Sequence, residues 1–173
     1  TRLGRKDHYK GCDKVIRALA RVLEQAPGAH YEIVGDGALR PMLERLAAEC
    51  GVRDRVHFHG YVDDGELERL YEGADLMIMP STGEGFGIVY LEAWKHALPV
   101  IAGDRDAGAE VVAHGVDGLC VDPSSVEEIA GALIALLRNR AAAAEMGRNG
   151  LRKVLGGYTH EHFRRNLGEI LAS

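Results

Sequence analysis

Pro80-Ser81-Thr82-Gly83-Glu84-Gly85-Phe86-Gly87-Ile88-Val89-Tyr90-Leu91-Glu92-Ala93 is the stretch on which the fold turns. It follows Leu76-Met77-Ile78-Met79, an apolar run that reads as a buried strand ended by Pro80. It leads into a helix predicted over 87–96. That order puts a glycine-rich loop at the carboxyl end of a strand, where open α/β sheets bind ligands. Glycines there expose backbone N–H groups, and a helix N-terminus favours anions, so a phosphate or diphosphate fits. Glu84 and Glu92 are eight residues apart, which on one helix is ~12 Å of rise and ~80° of rotation. They cannot easily share one proton or one metal, but they can grip two ends of an extended ligand. Glu84 suits hydroxyls near a reacting centre; Glu92 suits a vicinal diol such as ribose. The plainer reading of the same spacing is a turn with two solvated glutamates.

Working outward, strand and helix alternate with short connectors. Downstream, strands are predicted over 98–102 and 118–121, with a short helix over 110–114 between them. Ser124, with Glu127 three residues on, starts a capping pattern for a helix running to about residue 139. Helical stretches near 141–155 and 160–171 complete the sequence. Upstream, helical spacing of Val15, Ile16, Leu19, Val22 and Leu23 follows Asp13, a good N-cap residue. A strand over 31–34, a helix over 38–50, a strand over 55–59 and a helix over 64–73 come next. Alternation of this kind predicts a doubly wound parallel sheet, Rossmann-like, with helices on both faces. Only a dozen residues precede the first helix, so the chain is expected to begin at the last residues of a central strand, with sequence upstream.

Composition bounds the rest. The chain has 173 residues, 46% of them apolar, enough for one domain with a core and too few for two ordinary ones. Its formal net charge of −5 argues against broad attraction to nucleic acid or anionic lipid. The longest apolar runs are far below the ~20 residues of a membrane span. Cys12, Cys50 and Cys120 form no C-x-x-C pair, so a zinc site or disulfide framework is not expected, and a reducing, cytoplasmic setting is.

Three further clusters bear on chemistry. Arg2, Arg5, Lys6 and Lys10-Gly11 lie before the first helix, where cations can neutralise a diphosphate, or simply be solvated. Gly35-Asp36-Gly37 follows a strand, but Arg40 stands where G-x-G-x-x-G needs its third glycine, and the next strand lacks the ribose-binding acid. A dinucleotide site is therefore disfavoured. Asp104-Arg105-Asp106 is a lone D-x-D, and His160-Glu161-His162 has ligands two apart on a helix, so neither is read as a metal site.

Taken in order, the motifs resemble the donor-binding, carboxyl-terminal domain of retaining family-4 glycosyltransferases, which have the GT-B fold. Thr1-Arg2-Leu3 resembles G-R-L at the end of that family's first strand, and Tyr9-Lys10-Gly11-Cys12-Asp13 its K-G-x-D. Residues 33–40 resemble I-V-G-x-G-x-x-R, and 56–62 resemble V-x-F-x-G-x-V. Residues 80–93 carry the E-x7-E signature, and Leu98-Pro99-Val100-Ile101 follows as in the family. The match covers 1–158, read as the nucleotide-sugar domain, with 159–173 as a helix crossing back to an amino-terminal acceptor domain.

The resemblance implies roles. Lys10 and an arginine of the first loop bind the donor diphosphate: Arg2 by its place after the strand, Arg5 by its distance from Lys10. Glu84 approaches the donor sugar as the catalytic residue, and Glu92 holds the ribose. Backbone amides of Gly85, Phe86, Gly87, Ile88 and Val89 face sugar and phosphates, and Gly60, Tyr61 and Val62 border the nucleobase. The donor is a UDP-, GDP- or ADP-sugar, and no cofactor or metal is implied. The acceptor is a saccharide or lipid, with peripheral membrane association arising through the other domain. A non-catalytic nucleotide-binding or interaction module of the same fold is the alternative. Two positions depart from the family pattern. Asp106-Ala107 stands where paired glycines precede Glu110, and Ala97 replaces a glycine expected at positive φ.

Overall fold

The computed structural model describes residues 4, 10–83, 85 and 87–157. Five parallel strands alternate with seven helices among them. In chain order these are α1 (Cys12–Gln25), β1 (Tyr31–Val34), α2 (Arg40–Glu49), β2 (Val56–Gly60), α3 (Asp64–Gly73), β3 (Met77–Met79), α4 (Ile88–Lys95), β4 (Val100–Gly103), α5 (Ala107–Val111), β5 (Gly118–Val121), α6 (Val126–Arg138) and α7 (Arg140–Gly157).

The strands form two parallel sheets, β1–β2 and β3–β4–β5. β4 is buried on both faces, and its alternation shows the double winding. Ile101 joins the core made with α1, α2 and α6, while Val100 and Ala102 join the core made with α4 and α7. On the first face α1 packs against α2 and α6; on the second α4 packs against α7. Small residues set that second approach. A Cβ on Gly147 would lie 1.8 Å from the Ala97 carbonyl oxygen, and one on Gly150 would lie 2.0 Å from the Trp94 ring. Trp94 is fully buried and donates to the Asp117 carbonyl at 2.9 Å. The buried Asp117 carboxylate accepts from Lys153 at 2.8 Å and from the Ala113 amide, tying α7 to the turn before β5.

A cavity of about 650 Å³ separates β1 from β3. Val15 and Leu19 of α1 and Leu67 and Leu70 of α3 line it.

Several expected boundaries shift for local reasons. Helix α1 starts on Gly11, left-handed at φ 72°, while Asp13 lies in its first turn and pairs with Lys14. Helix α6 is capped by Ser125, which accepts from the Glu128 amide, because Ser124 is drawn into a turn by Asp122. The short helix expected over 110–114 instead begins at Ala107, since the Asp106 carboxylate accepts from the Gly108 amide and starts it early. Ala97 has φ 54°, as its place in a glycine position predicts. The helix expected over 160–171, with His160-Glu161-His162, lies outside the described residues. The three cysteines are unbridged.

Candidate functional site

The strands are parallel within each sheet, and the helix that follows each strand starts at that strand's carboxyl end. The start of α1 lies against the end of β3. Gly11, before α1, packs against Pro80, and a Cβ there would fall 2.4 Å from the Pro80 carbonyl oxygen. Only glycine permits both that approach and the left-handed backbone. Gly87, before α4, is also left-handed at φ 73°, and a Cβ there would strike the Tyr90 ring at 2.4 Å. Neither helix is capped by a described side chain. The first-turn N–H groups of α1 therefore lie near Pro80, and those of α4 follow Gly87, each with the positive end of its dipole.

That loop is fixed from beneath. Tyr90 is buried and donates to the Met79 carbonyl at 2.9 Å. Ser81 is buried and donates through Oγ to Asp106 Oδ2 at 2.6 Å, while the Gly83 amide donates to Ser81 Oγ at 3.2 Å. The other Asp106 oxygen accepts from the Gly108 amide at 2.8 Å. Gly103 lets the end of β4 come against this corner, since a Cβ there would lie 2.0 Å from the Ser81 carbonyl oxygen. The carboxylate of the D-x-D that departs from the family pattern thus serves the loop. Arg105, between the two acids, pairs with Asp122 at 2.5 Å.

Lys10, Val89 and Glu92 line the same cavity between the sheets. Glu92 is half-buried and accepts from the Tyr71 hydroxyl at 3.2 Å. Burial, and next the Glu92 charge, push the Tyr71 phenol well above its ordinary range, so it remains a donor. Tyr71 also stacks on His96, ring centroids 5.0 Å apart. Ile88 is 61% exposed at the start of α4.

Gly60, Tyr61 and Val62 follow β2 at the carboxyl edge. Gly60 is left-handed at φ 71° and accepts from the Gly35 amide at 2.7 Å; Tyr61 is 83% exposed. Arg40 bonds to the Phe58 carbonyl and to Glu44, and lies over the Phe58 ring. It is a brace of the β1–β2 edge, in the place where a dinucleotide loop has glycine. Gly85 is exposed in the loop. Arg2, Arg5, Glu84 and Phe86 lie outside the described residues.

The Ser81–Asp106 and Tyr71–Glu92 contacts were not foreseen. Each joins residues more than twenty positions apart, and no periodicity or motif links them.

The family profile described as glycosyl transferases group 1 matches residues 2–153. The chain is 37% identical over 169 residues to the GDP-mannose-dependent alpha-(1-6)-phosphatidylinositol monomannoside mannosyltransferase of Mycobacterium tuberculosis, covering 94% of this chain and 44% of that protein. It superposes with a TM-score of 0.82 on the C-terminal domain of a glycosyl transferase group 1 family protein from Francisella tularensis, at 26% identity, covering 92% of this chain and 85% of that one. Against HepE from Anabaena, solved in complex with UDP, the TM-score is 0.89 at 25% identity, over 99% of this chain and 47% of that one. The chain therefore spans less than half the length of the mannosyltransferase and of HepE.

Proposed function

The chain belongs to the group 1 glycosyl transferases, and on that premise we propose that it is the donor-binding half of a retaining enzyme that moves a hexose from a nucleoside diphosphate sugar to a saccharide or lipid-linked acceptor. One observation carries the reading: Gly11, which starts α1, packs against Pro80, where the loop leading to Gly87 and α4 begins, and Lys10 and Glu92 line one cavity. Two helix N-termini and a lysine make a place for a diphosphate, and a carboxylate one turn into α4 reaches a diol attached to it.

In this reading the amides at 85–89 and Lys10, with Arg2 or Arg5, hold the diphosphate and stabilise the charge that grows on it as the sugar leaves. Glu92 accepts from two ribose hydroxyls, its carboxylate held in place by Tyr71. Tyr61 and Val62 border the base. Glu84 accepts from hydroxyls of the donor sugar and orients its anomeric carbon. The departing phosphate oxygen takes the proton of the incoming hydroxyl on the same face, so configuration is retained without a side-chain nucleophile. The acceptor is held by chain outside this domain, and closure of the two parts excludes water. Relatives named as GDP-mannose-dependent, and a neighbour solved with UDP, support a nucleotide-sugar donor. No helix among the described residues is long and apolar enough to cross a membrane; cytoplasmic placement, with association at a membrane surface, is part of the proposal.

Calorimetry tests it. UDP or GDP should give a heat that survives EDTA, and NAD should give none. Glu92→Gln should weaken the nucleotide by about 10- to 150-fold, since a charged hydrogen bond is worth ~1.5–3 kcal/mol. Heat from NAD alone, or from no nucleotide, overturns the reading, and in the second case leaves an interaction module. Loss of binding in EDTA, restored by Mg²⁺ or Mn²⁺, would return Asp104 and Asp106 to the site.

A further inference from the structure

Helix α3 has no fully buried residue, so general packing does little to fix the side chains it presents. Two of them nevertheless form a clasp with α4. Glu68 and Tyr71 stand three apart on α3; Glu92 lies in α4 and His96 caps its end, four residues on. Each pair shares one face of its helix. The Tyr71 hydroxyl donates to Glu92 Oε2 at 3.2 Å, and the Tyr71 ring lies on the His96 ring, centroids 5.0 Å apart and planes within 9°. Glu68 Oε2 is 3.3 Å from His96 Nε2. The His96 side chain is 18% exposed and that of Glu68 64%, so the stacked ring is the inner member and the Glu68 carboxylate the outer one.

Tyrosine suits a carboxylate that has to serve a ligand. Its phenol stays protonated, because burial and the Glu92 charge both oppose ionisation. It supplies one hydrogen bond and leaves the negative charge of Glu92 uncancelled, where a lysine or arginine would compete with the ligand for it. The bond uses one acceptor position and leaves others on both oxygens. A glutamate turns about several side-chain bonds, and one hydrogen bond fixes it only as well as the donor is itself fixed. The ring of His96 fixes the donor. On the reading that Glu92 accepts from two ribose hydroxyls, we propose that Tyr71 and His96 are positioning residues that set the site's preference for ribose over deoxyribose. Two vicinal hydroxyls reach one carboxylate together only when it is turned to face both. Tyr71 holds that turn, and His96 holds Tyr71. When either is lost, Glu92 keeps its charge but meets the sugar in several rotamers and engages one hydroxyl at a time. Affinity for the ribose form then falls, affinity for a 2′-deoxy form changes less, and the preference between them shrinks.

The test is calorimetry on the full chain and four variants, with UDP and GDP each set beside its 2′-deoxy form. The readout is the ratio of the two dissociation constants for one base on one variant. A loosened fold weakens both ligands and leaves the ratio alone, so the ratio reports how Glu92 is turned. In the unaltered protein the ribose form should bind about tenfold more tightly or better, the worth of a hydrogen bond to a charged group, and Glu92→Gln should remove most of that preference. Tyr71→Phe, which takes away the hydroxyl alone, should cut the ratio by about threefold or more, and His96→Ala should do the same. His96→Phe keeps a ring for Tyr71 to stack on and should hold the ratio near that of the unaltered protein. Tyr71→Phe and His96→Ala act from opposite helices, so if one fails to fold the other decides. If both leave the ratio unchanged while Glu92→Gln lowers it, the inference is overturned and the donor-site reading stands. His96→Phe no better than His96→Ala overturns the role of the stacked ring. A ratio near one in the unaltered protein, a ratio that Glu92→Gln does not move, or no binding of either nucleotide overturns the inference together with the role given to Glu92.

Discussion

Five helix starts follow strands or loops along the carboxyl edge of the sheets, and they divide into two kinds. Helices α3, α5 and α6 begin under a side chain: Asp63 accepts from the Glu66 amide, Asp106 from Gly108 and Ser125 from Glu128. Helices α1 and α4 begin on left-handed glycines, and no described side chain caps them. (The sixth start, α2, has Pro41 in its first turn, which removes one N–H there.) Capping is worth about 1 kcal/mol, so leaving it out has a cost. Of these five, the two starts without caps are those of the helix after Lys10 and of the helix that carries Glu92, and α2 too lacks a side-chain cap. The capped ones have spent a first-turn amide on one of the protein's own side chains; α1 and α4 have not.

The largest effect that could break this contrast is Gly11→Ala. The new Cβ would meet the Pro80 carbonyl oxygen, and the residue would be held at φ 72°. Left-handed strain and overpacking together predict a loss of roughly 2–5 kcal/mol in urea unfolding. Unchanged stability would mean that the start of α1 is not pinned against Pro80.

Next comes a split between ligands. Lys10→Ala should weaken UDP or GDP by about tenfold or more, the worth of a charge-assisted bond, and leave the free nucleoside unchanged. Glu92→Gln should weaken both. Equal losses with Lys10→Ala would place the lysine somewhere other than on the diphosphate.

Asp106→Ala should act on both sides of the contrast. It removes the α5 cap and frees Ser81, so stability should fall by about 1–2 kcal/mol and nucleotide affinity should fall with it. Asp106→Asn can still accept from Ser81 and should keep most of the affinity. Asp63→Ala and Ser125→Ala should each cost about 1 kcal/mol of stability without touching affinity; a change in affinity would erase the distinction.

The smallest effect concerns acid, on the β1–β2 edge. Burial pushes the Glu32 carboxyl up, but hydrogen bonds from His59 and His57 outweigh it and hold the group below its usual range. A depressed carboxylate stabilises the fold above its unfolded value of about 4.3, and that stability is lost as pH falls through the lower folded value. Glu32→Gln should therefore lower stability slightly at neutral pH and flatten the acid limb below about pH 4, a small effect because solvent reaches the pairs, His57 most of all. An unchanged acid limb would show that the pairs do not hold in solution.

The contrast between helix starts was only half legible beforehand. Residues 80–93 announce a glycine loop and a helix, because glycine and apolar spacing are local signals. Ala97 at positive φ followed from its place after the site helix. The start of α1 was read onto Asp13, a good cap by type, whereas Gly11 takes that place because the loop must clear Pro80, about seventy residues on. Asp106 belongs to a lone D-x-D that was read as no metal site and given no other task, and its partner Ser81 lies at a different strand's end. Nothing in the local pattern around either residue points to the other.

By itself the sequence determined the alternation of strands and helices, the parallel double winding and the loop that faces the ligand edge. Each of these is written in spacing of two or 3.6 residues, or in glycines that only one backbone conformation uses. Tertiary structure alone decided which helix starts stay open, which carboxylate holds the loop, and that Tyr71 grips Glu92. It also decided that β1 and β3 belong to separate sheets with a cavity lined by both. Those outcomes depend on groups far apart in the chain coming within hydrogen-bond or van der Waals distance, and distance in space is not written in any local period of the sequence.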